Sequence, residues 1–231
     1  MAIIVLLPGM DGSGTLFSDF IASLPPGAQP LIVAYPPDQA LGYEELEALT
    51  RERLPRHPFI LLGESFSGPI ALTLAAAAPP ALRAVILVGS FIRSPIPVPR
   101  RLQSFLAALP IWRLPVRVTA AVLLGHYSSP VARSRLSAAM AAVAPAAWHA
   151  RLRTVLSVDV VAKLASVRVP VLYLRGKSDR VVPLSAWKLI KSTLPSARLV
   201  EMEGPHFLLQ AKPLECAEHV TAFAREAGFA L

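Results

Sequence analysis

Cysteine is almost absent: Cys216 stands alone in 231 residues. One thiol closes no intramolecular disulfide and makes no cysteine-based metal cluster, and a buried helix residue is its expected role. Acids are also scarce, fifteen against 23 lysines and arginines, which gives a formal net charge of +8. Charged residues of both signs reach only 16% while hydrophobic residues reach 54%, which excludes a disordered chain and supplies one large core. Long apolar runs are missing too. No stretch approaches the roughly 20 residues that span a bilayer, so no membrane span is expected. The opening MAIIVLLPGMDG lacks a basic leader and reads as a strand and turn, not a signal peptide, so a cytoplasmic protein is expected.

The shortage of acids is concentrated. Residues 91–168 hold eleven basic side chains and one acid, Asp159, a net +10 that leaves −2 for the rest of the chain. One reading is a compositional bias toward arginine, which then solvates the outer faces of helices. The other is that arginines such as Arg133, Arg135, Arg151 and Arg153 meet an anionic carrier or headgroup. No nucleic-acid-binding motif accompanies the charge, and apolar helical patterns interrupt it, so nucleic acid is not an expected partner.

What is present is a regular alternation. Six short apolar runs read as buried strands: Ala2–Leu7, Pro30–Ala34, Phe59–Leu62, Ala84–Val88, Val169–Leu174 and Arg198–Met202. Helical patterns lie between them at Thr15–Leu24, Tyr43–Leu54, Pro69–Ala78, Leu184–Leu194 and Pro213–Ala227. This order predicts an α/β protein with a mainly parallel six-stranded sheet and helices on both faces. One connection is far longer than a crossover needs, the 80 residues between Val88 and Val169. After the stiff exit SPIPVP (94–99) it reads as helices near 99–109, 115–124, 130–143, 145–156 and 159–165. The expected organisation is therefore a core of residues 1–92 and 166–231 with a helical lid, residues 93–165, inserted in it. Most apolar side chains of the lid would pack it to the body, and Trp112, Leu123, Leu124 and Trp148, with Phe207 of the core, are candidates for lining a substrate cavity.

The segment FILLGESFSG (59–68) carries the chemistry. It reads as a buried strand, a sharp turn bearing Ser65, and a small-residue helix start with Pro69 in the first turn, the layout of a nucleophile elbow. The fit to G-x-S-x-G is imperfect, because Ser67 occupies the fifth position and the glycine follows at Gly68. A serine hydroxyl needs a base, usually a histidine held by a carboxylate. Of five histidines, only His206 follows a strand directly, in EGPHF (203–207). His57 lies at the wrong end of the sheet, His126 and His149 fall in the lid, and His219 is mid-helix. Asp179 likewise follows a strand, whereas the rival Asp159 lies in the lid. Ser65, Asp179 and His206 thus come in the order Ser…Asp…His at the strands' C-terminal edge, where open α/β sheets bind ligands. For an oxyanion, the expected donors are the N–H groups of Phe66 and of Met10 in the glycine-rich loop LPGMDGSG (7–14). That loop lacks the spacing and the lysine of a phosphate cradle, so no cofactor is expected, and no metal.

These segments, together with RGKSDRVVP (175–183) and EGPHFLLQAKP (203–213), make the chain resemble the α/β-hydrolase family along nearly its whole length. The resemblance implies Ser65 as nucleophile, Asp179 as acid, His206 as base, and Met10 and Phe66 as oxyanion donors. Two departures stand out: Pro8-Gly9 where many members have His-Gly, and Ser67 for a glycine. The chain also opens at what would be the family's third strand. Within the family it is similar to compact lid-bearing esterases and thioesterases. The implied function is a serine carboxylesterase acting on a small acyl ester through an acyl-enzyme. The alternatives are a thioesterase or esterase for acyl groups on coenzyme A or a carrier protein, such as a pimeloyl-carrier-protein methyl esterase, and a non-catalytic ligand-binding hydrolase fold.

Overall fold

The computed structural model describes residues 2–96 and 98–229, so Pro97 of the proline-rich exit lies outside the described residues. Six strands form one sheet: β1 (Ala2–Leu7), β2 (Ala28–Ile32), β3 (Phe59–Glu64), β4 (Leu82–Val88), β5 (Val171–Gly176) and β6 (Arg198–Met202). Their order is β2-β1-β3-β4-β5-β6, and every pairing is parallel. The four central strands are continuous apolar runs because helices cover both faces. Val5, Leu61, Val85 and Tyr173 point to one side, where α2 (Tyr43–Glu52), α3 (Gly68–Ala76) and α8 (Leu184–Thr193) pack. Ile4, Leu62, Ile86 and Leu172 point to the other, against α1 (Ser18–Ala22), α9 (Leu208–Ala211) and α10 (Pro213–Glu226). Cys216 is buried in α10, and burial pushes its thiol up to about 12.

Two strands depart from the expectation of burial. β2 is mostly exposed, and β6 is only partly buried. Both are sheet edges, and an edge is covered on fewer sides whatever its apolar content. Pro30 is tolerated in β2 for the same reason, since an edge strand has N–H positions with no ladder partner to lose.

The long connection is helical, as expected: α4 (Arg100–Ala107), α5 (Val116–Leu123), α6 (Pro130–Ala141) and α7 (Pro145–Ser157) all lie between β4 and β5. Its two ends are stitched together. Arg93 Nε donates to Asp159 Oδ2 at 2.8 Å, Ser94 N donates to Val158 O, and Val160 N donates to Ile92 O. The following 3-10 turn, Val161–Ser166, packs on the core instead, with Leu164 fully buried in the cluster beneath α3. Within the insertion, Ala107 and Leu106 of α4 pack on Leu152 and Leu156 of α7, while Ala120 and Leu124 meet Leu136 of α6.

Candidate active site

β3 runs straight into a tight 3-10 turn, Ser65–Ser67, and then into α3. Ser65 takes φ 48°, a conformation that costs a side-chain-bearing residue on the order of 1–3 kcal/mol and is held only where the surroundings enforce it. The glycine pattern explains the enforcement. A Cβ at Gly63 would sit 2.9 Å from Ser67 O, and one at Gly68 would sit 1.8 Å from Ser90 Oγ. The glycine displaced by one position is therefore the one that α3 needs to reach β4. Ser67 itself is fully buried and fills the gap with hydrogen bonds. Its hydroxyl donates to Pro8 O and so accepts from Tyr35 OH at 2.6 Å. The two departures from the family pattern, Pro8 and Ser67, thus touch one another.

The three residues expected at the sheet's edge come together. Ser65 Oγ lies 2.9 Å from His206 Nε2, and His206 Nδ1 lies 2.9 Å from Asp179 Oδ2. The other Asp179 oxygen accepts the N–H groups of Val181 and Val182 at 2.8 and 2.9 Å. Burial alone would raise the Asp179 pKa. The hydrogen bond and charge of His206, with the Val182 and Val181 amides, outweigh it and hold the carboxyl below its ordinary value. An ionised Asp179 accepts only, so Nδ1 carries the proton and Nε2 is left to accept from the Ser65 hydroxyl. Gly89, at φ 52° just past β4, leaves room for this pair, because a Cβ there would lie 3.3 Å from both Asp179 Oδ2 and His206 Nδ1.

The peptides that carry the Met10 and Phe66 N–H groups are fixed through their carbonyls. Gly9 O accepts from Gly12 N at 3.0 Å, and Ser65 O accepts from Ser90 Oγ at 2.5 Å. In a trans peptide the N–H points opposite to its C=O, so anchoring each carbonyl aims the Met10 and Phe66 N–H groups. Ser90 is set in turn by Tyr173, whose hydroxyl donates to Ser90 O at 2.7 Å. Tyr43 stacks on the Phe66 ring at 4.8 Å and donates to Phe66 O at 2.9 Å.

Arg151 overturns an expectation. It is 1% exposed and offers nothing to an outside anion. From α7 its guanidinium donates to Met10 O and Asp11 O at 2.9 Å and to Pro36 O at 2.8 Å, bracing the glycine-rich loop. A Cβ at Gly12 would sit 2.7 Å from its Nη1, so this glycine makes the approach feasible. Burial lowers the Arg151 pKa, and the charges of Asp11 and Tyr35 act against that shift. Arg151 reads like its exposed helix neighbour Arg153 until α7 is docked, so sequence carried no sign of this. Two more of the named arginines are engaged within the chain: Arg135 pairs with Asp19 of α1, and Arg133 donates to Ser128 O at 3.2 Å.

Ser65 and His206 open onto a cavity of about 330 Å³. Its walls include Trp112, Leu123, Trp148 and Phe207 and also Leu16, Ile111, Val118 and Met140. Leu124 does not line it. This side chain, at 2% exposure, points the other way and packs on Ala120 and Leu136, because one helical residue turns the direction by about 100°. Phe207 N donates to Leu123 O at 2.9 Å, joining the His206 loop to α5. None of the other histidines reaches the cavity. His57 and His126 are exposed, His149 packs edge-on to Trp112, and His219 is half-buried on α10. Asp159 stands at the base of the insertion with Arg93. Among the described residues, no three His, Cys, Asp or Glu side chains converge as a metal site requires.

Glu64, next to Ser65, was missed because position two of the motif accepts almost any residue. It is 3% exposed, and burial pushes its pKa up from 4.5 to about 7, restrained by the Gln210 amide at 3.0 Å and raised again by Asp11. A folded pKa above the unfolded one means that the stabilising proton is bound fully below about pH 4.5 and is lost as pH rises through about 7. Glu64→Gln, which mimics the protonated form, is therefore expected to gain stability relative to wild type between about pH 5 and about pH 8. The gain is on the order of 3 kcal/mol from the pKa difference. Urea unfolding at the two pH values measures it, and a flat difference would show that Glu64 is ionised throughout.

A family model described as the alpha/beta hydrolase fold matches residues 43–213. No curated protein matches the sequence. Among solved structures, a bromoperoxidase from Bacillus anthracis is similar at a TM-score of 0.83 and 15% identity, over 97% of this chain and 91% of that one. An enol-lactonase from Burkholderia xenovorans LB400 gives 0.83 at 16% identity, over 97% and 91%. An esterase from Rhodococcus sp. ECU1013 gives 0.76 at 22% identity, over 98% and 91%. At such identities the likeness is one of fold.

Proposed function

Because the chain belongs to the alpha/beta hydrolase family, we propose that it is a serine hydrolase that cleaves a carboxylic ester with an apolar acyl group through an acyl-enzyme. The observation that carries this reading is the pair of 2.9 Å hydrogen bonds linking Ser65 through His206 to a buried Asp179, at the wall of an apolar cavity. His206 Nε2 takes the Ser65 proton as Oγ bonds to the ester carbonyl carbon. Asp179 keeps Nδ1 protonated and stabilises the imidazolium that forms. The carbonyl oxygen becomes an oxyanion held by the Met10 and Phe66 N–H groups, whose preset direction avoids reorganisation during the step. Collapse breaks the ester C–O bond, and Nε2–H protonates the departing alcohol. Water then repeats the sequence on the acyl-enzyme and releases the acid and Ser65.

The cavity wall decides the acyl group. Among the described residues lining the cavity, Asp11 is the only carboxylate and no lysine or arginine is present, and the Thr119 hydroxyl has no hydrogen-bond partner among the described residues. An anionic acyl chain would therefore be desolvated there without a cation to meet it. A panel of p-nitrophenyl esters and matching acyl thioesters tests the reading. We expect kcat/KM to rise from acetyl to medium-chain acyl groups and to fall for acyl chains ending in a carboxylate. A preference for the carboxylate-ended chain would overturn it. The thioester arm addresses the second reading, since the same groups would attack a thioester carbonyl.

A further inference from the structure

Residues 94–158 contain eight arginines and no acid. Two exposed apolar stripes lie within this stretch. On α4 and the turn after it, Leu102, Phe105 and Leu109 are exposed, while Ala107 on the opposite face and Leu106 on the flank pack on α7. On α5 and the residues leading into it, Leu114, Val118 and Val122 recur every four residues and are exposed, opposite Ala120 and Leu124. Phe105 is 67% exposed, Val118 51% and Leu114 50%. Scattered apolar residues on a surface are ordinary, but six large ones within 21 residues are not. Arg101, Arg113 and Arg117 stand among them, exposed and, among the described residues, without an acidic partner, unlike Arg93 and Arg135. Leu114, Val118 and Val122 also line the cavity that holds Ser65 and His206, so this surface borders the site's mouth.

We propose that α4, α5 and the turn between them dock on an anionic phospholipid surface, with the cavity mouth toward the lipid. The combination is the one that lies in a bilayer interface: aromatic and aliphatic side chains reach the acyl boundary while arginines meet the headgroups. Among the described residues no single helix is long and apolar enough to cross a membrane, and the two helices here are bent by 111° at their junction. An acidic protein would satisfy the arginines but leave the two stripes in water, and this asymmetry favours lipid.

Sedimentation with vesicles tests the proposal without any substrate, so its outcome is separate from that of the ester panel. Vesicles of phosphatidylcholine containing phosphatidylglycerol are expected to bind the protein, and vesicles of phosphatidylcholine alone to bind it far less. Binding should weaken with added salt, because the charges are screened over about 8 Å at physiological ionic strength. Phe105→Asp should weaken it about tenfold or more, and Arg101→Glu with Arg117→Glu by about fivefold or more per arginine. All three positions are exposed, so thermal melts and turnover of a soluble short-chain ester should stay at wild-type values. Equal binding to both vesicle types, or binding that survives Phe105→Asp, would overturn the proposal. So would saturable binding of a purified acidic acyl carrier protein in place of vesicles, or a wild-type dimer that Phe105→Asp converts to monomer.

Discussion

Ser65→Ala is expected to lose all stoichiometric labelling by a fluorophosphonate and to lower kcat by roughly four to six orders of magnitude. The size follows from the geometry. Among the described residues, no hydroxyl other than that of Ser65 is hydrogen-bonded to His206 Nε2, and without it the imidazole has no nucleophile to activate. The residual rate would come from the oxyanion contacts proposed for the Met10 and Phe66 N–H groups, acting on an attacking water. Stability should hardly change, because the side chain is small. Ser65→Gly separates strain from chemistry. It is equally inactive but should gain on the order of 1 kcal/mol, since φ 48° suits a residue without a Cβ. Labelling that persists in Ser65→Ala would remove Ser65 from the mechanism. A Ser65→Gly variant no more stable than Ser65→Ala would show that the turn is relaxed.

Asp179→Asn is expected to lower kcat by about a thousandfold to ten-thousandfold while leaving KM within a few fold. An amide at this position can present its NH₂ to His206 Nδ1. That would stabilise the wrong tautomer, with the proton on Nε2, and a protonated Nε2 cannot accept from Ser65. The Asp179 side chain is fully buried, so no water can substitute for the lost anion. The variant also reports on stability. A carboxyl held below its ordinary value contributes stability above the unfolded pKa and loses it as pH falls through the folded one. The wild-type advantage over Asp179→Asn should therefore be full at neutral pH and shrink only in strong acid. Asp159→Asn is the control. Its carboxylate is half-exposed on Arg93, and its loss should leave turnover near wild type. If Asp159→Asn caused the large drop instead, the acid would have been misplaced.

The grouping of Ser65, Asp179 and His206 was legible because each lies within four residues past the end of a strand, and a parallel sheet brings all such ends to one edge. The glycines were partly legible. Gly63 and Gly68 mark close packing in any reading, but only the position of Ser90 explains why the second glycine comes one residue late. Glu64, Ser90 and Arg151 were not legible. Glu64 occupies a motif position without a rule. Ser90 follows β4 as an ordinary serine, and Arg151 looked like part of a surface charge.

The sequence alone carried the alternation of six strands with helices, the long helical connection between β4 and β5, and the candidates Ser65, Asp179 and His206 past strand ends. Periodicity, turn residues and strand ends are local signals that survive without coordinates. Only the tertiary structure decided which charges are spent and which are free. It buried Arg151 against Met10 and Asp11, paired Arg135 with Asp19, turned Leu124 inward, and left Arg101, Arg113 and Arg117 exposed among uncovered apolar side chains. Burial and pairing are properties of contacts between elements far apart in the chain. A +10 segment read residue by residue cannot distinguish an arginine that braces a loop from one that meets a partner.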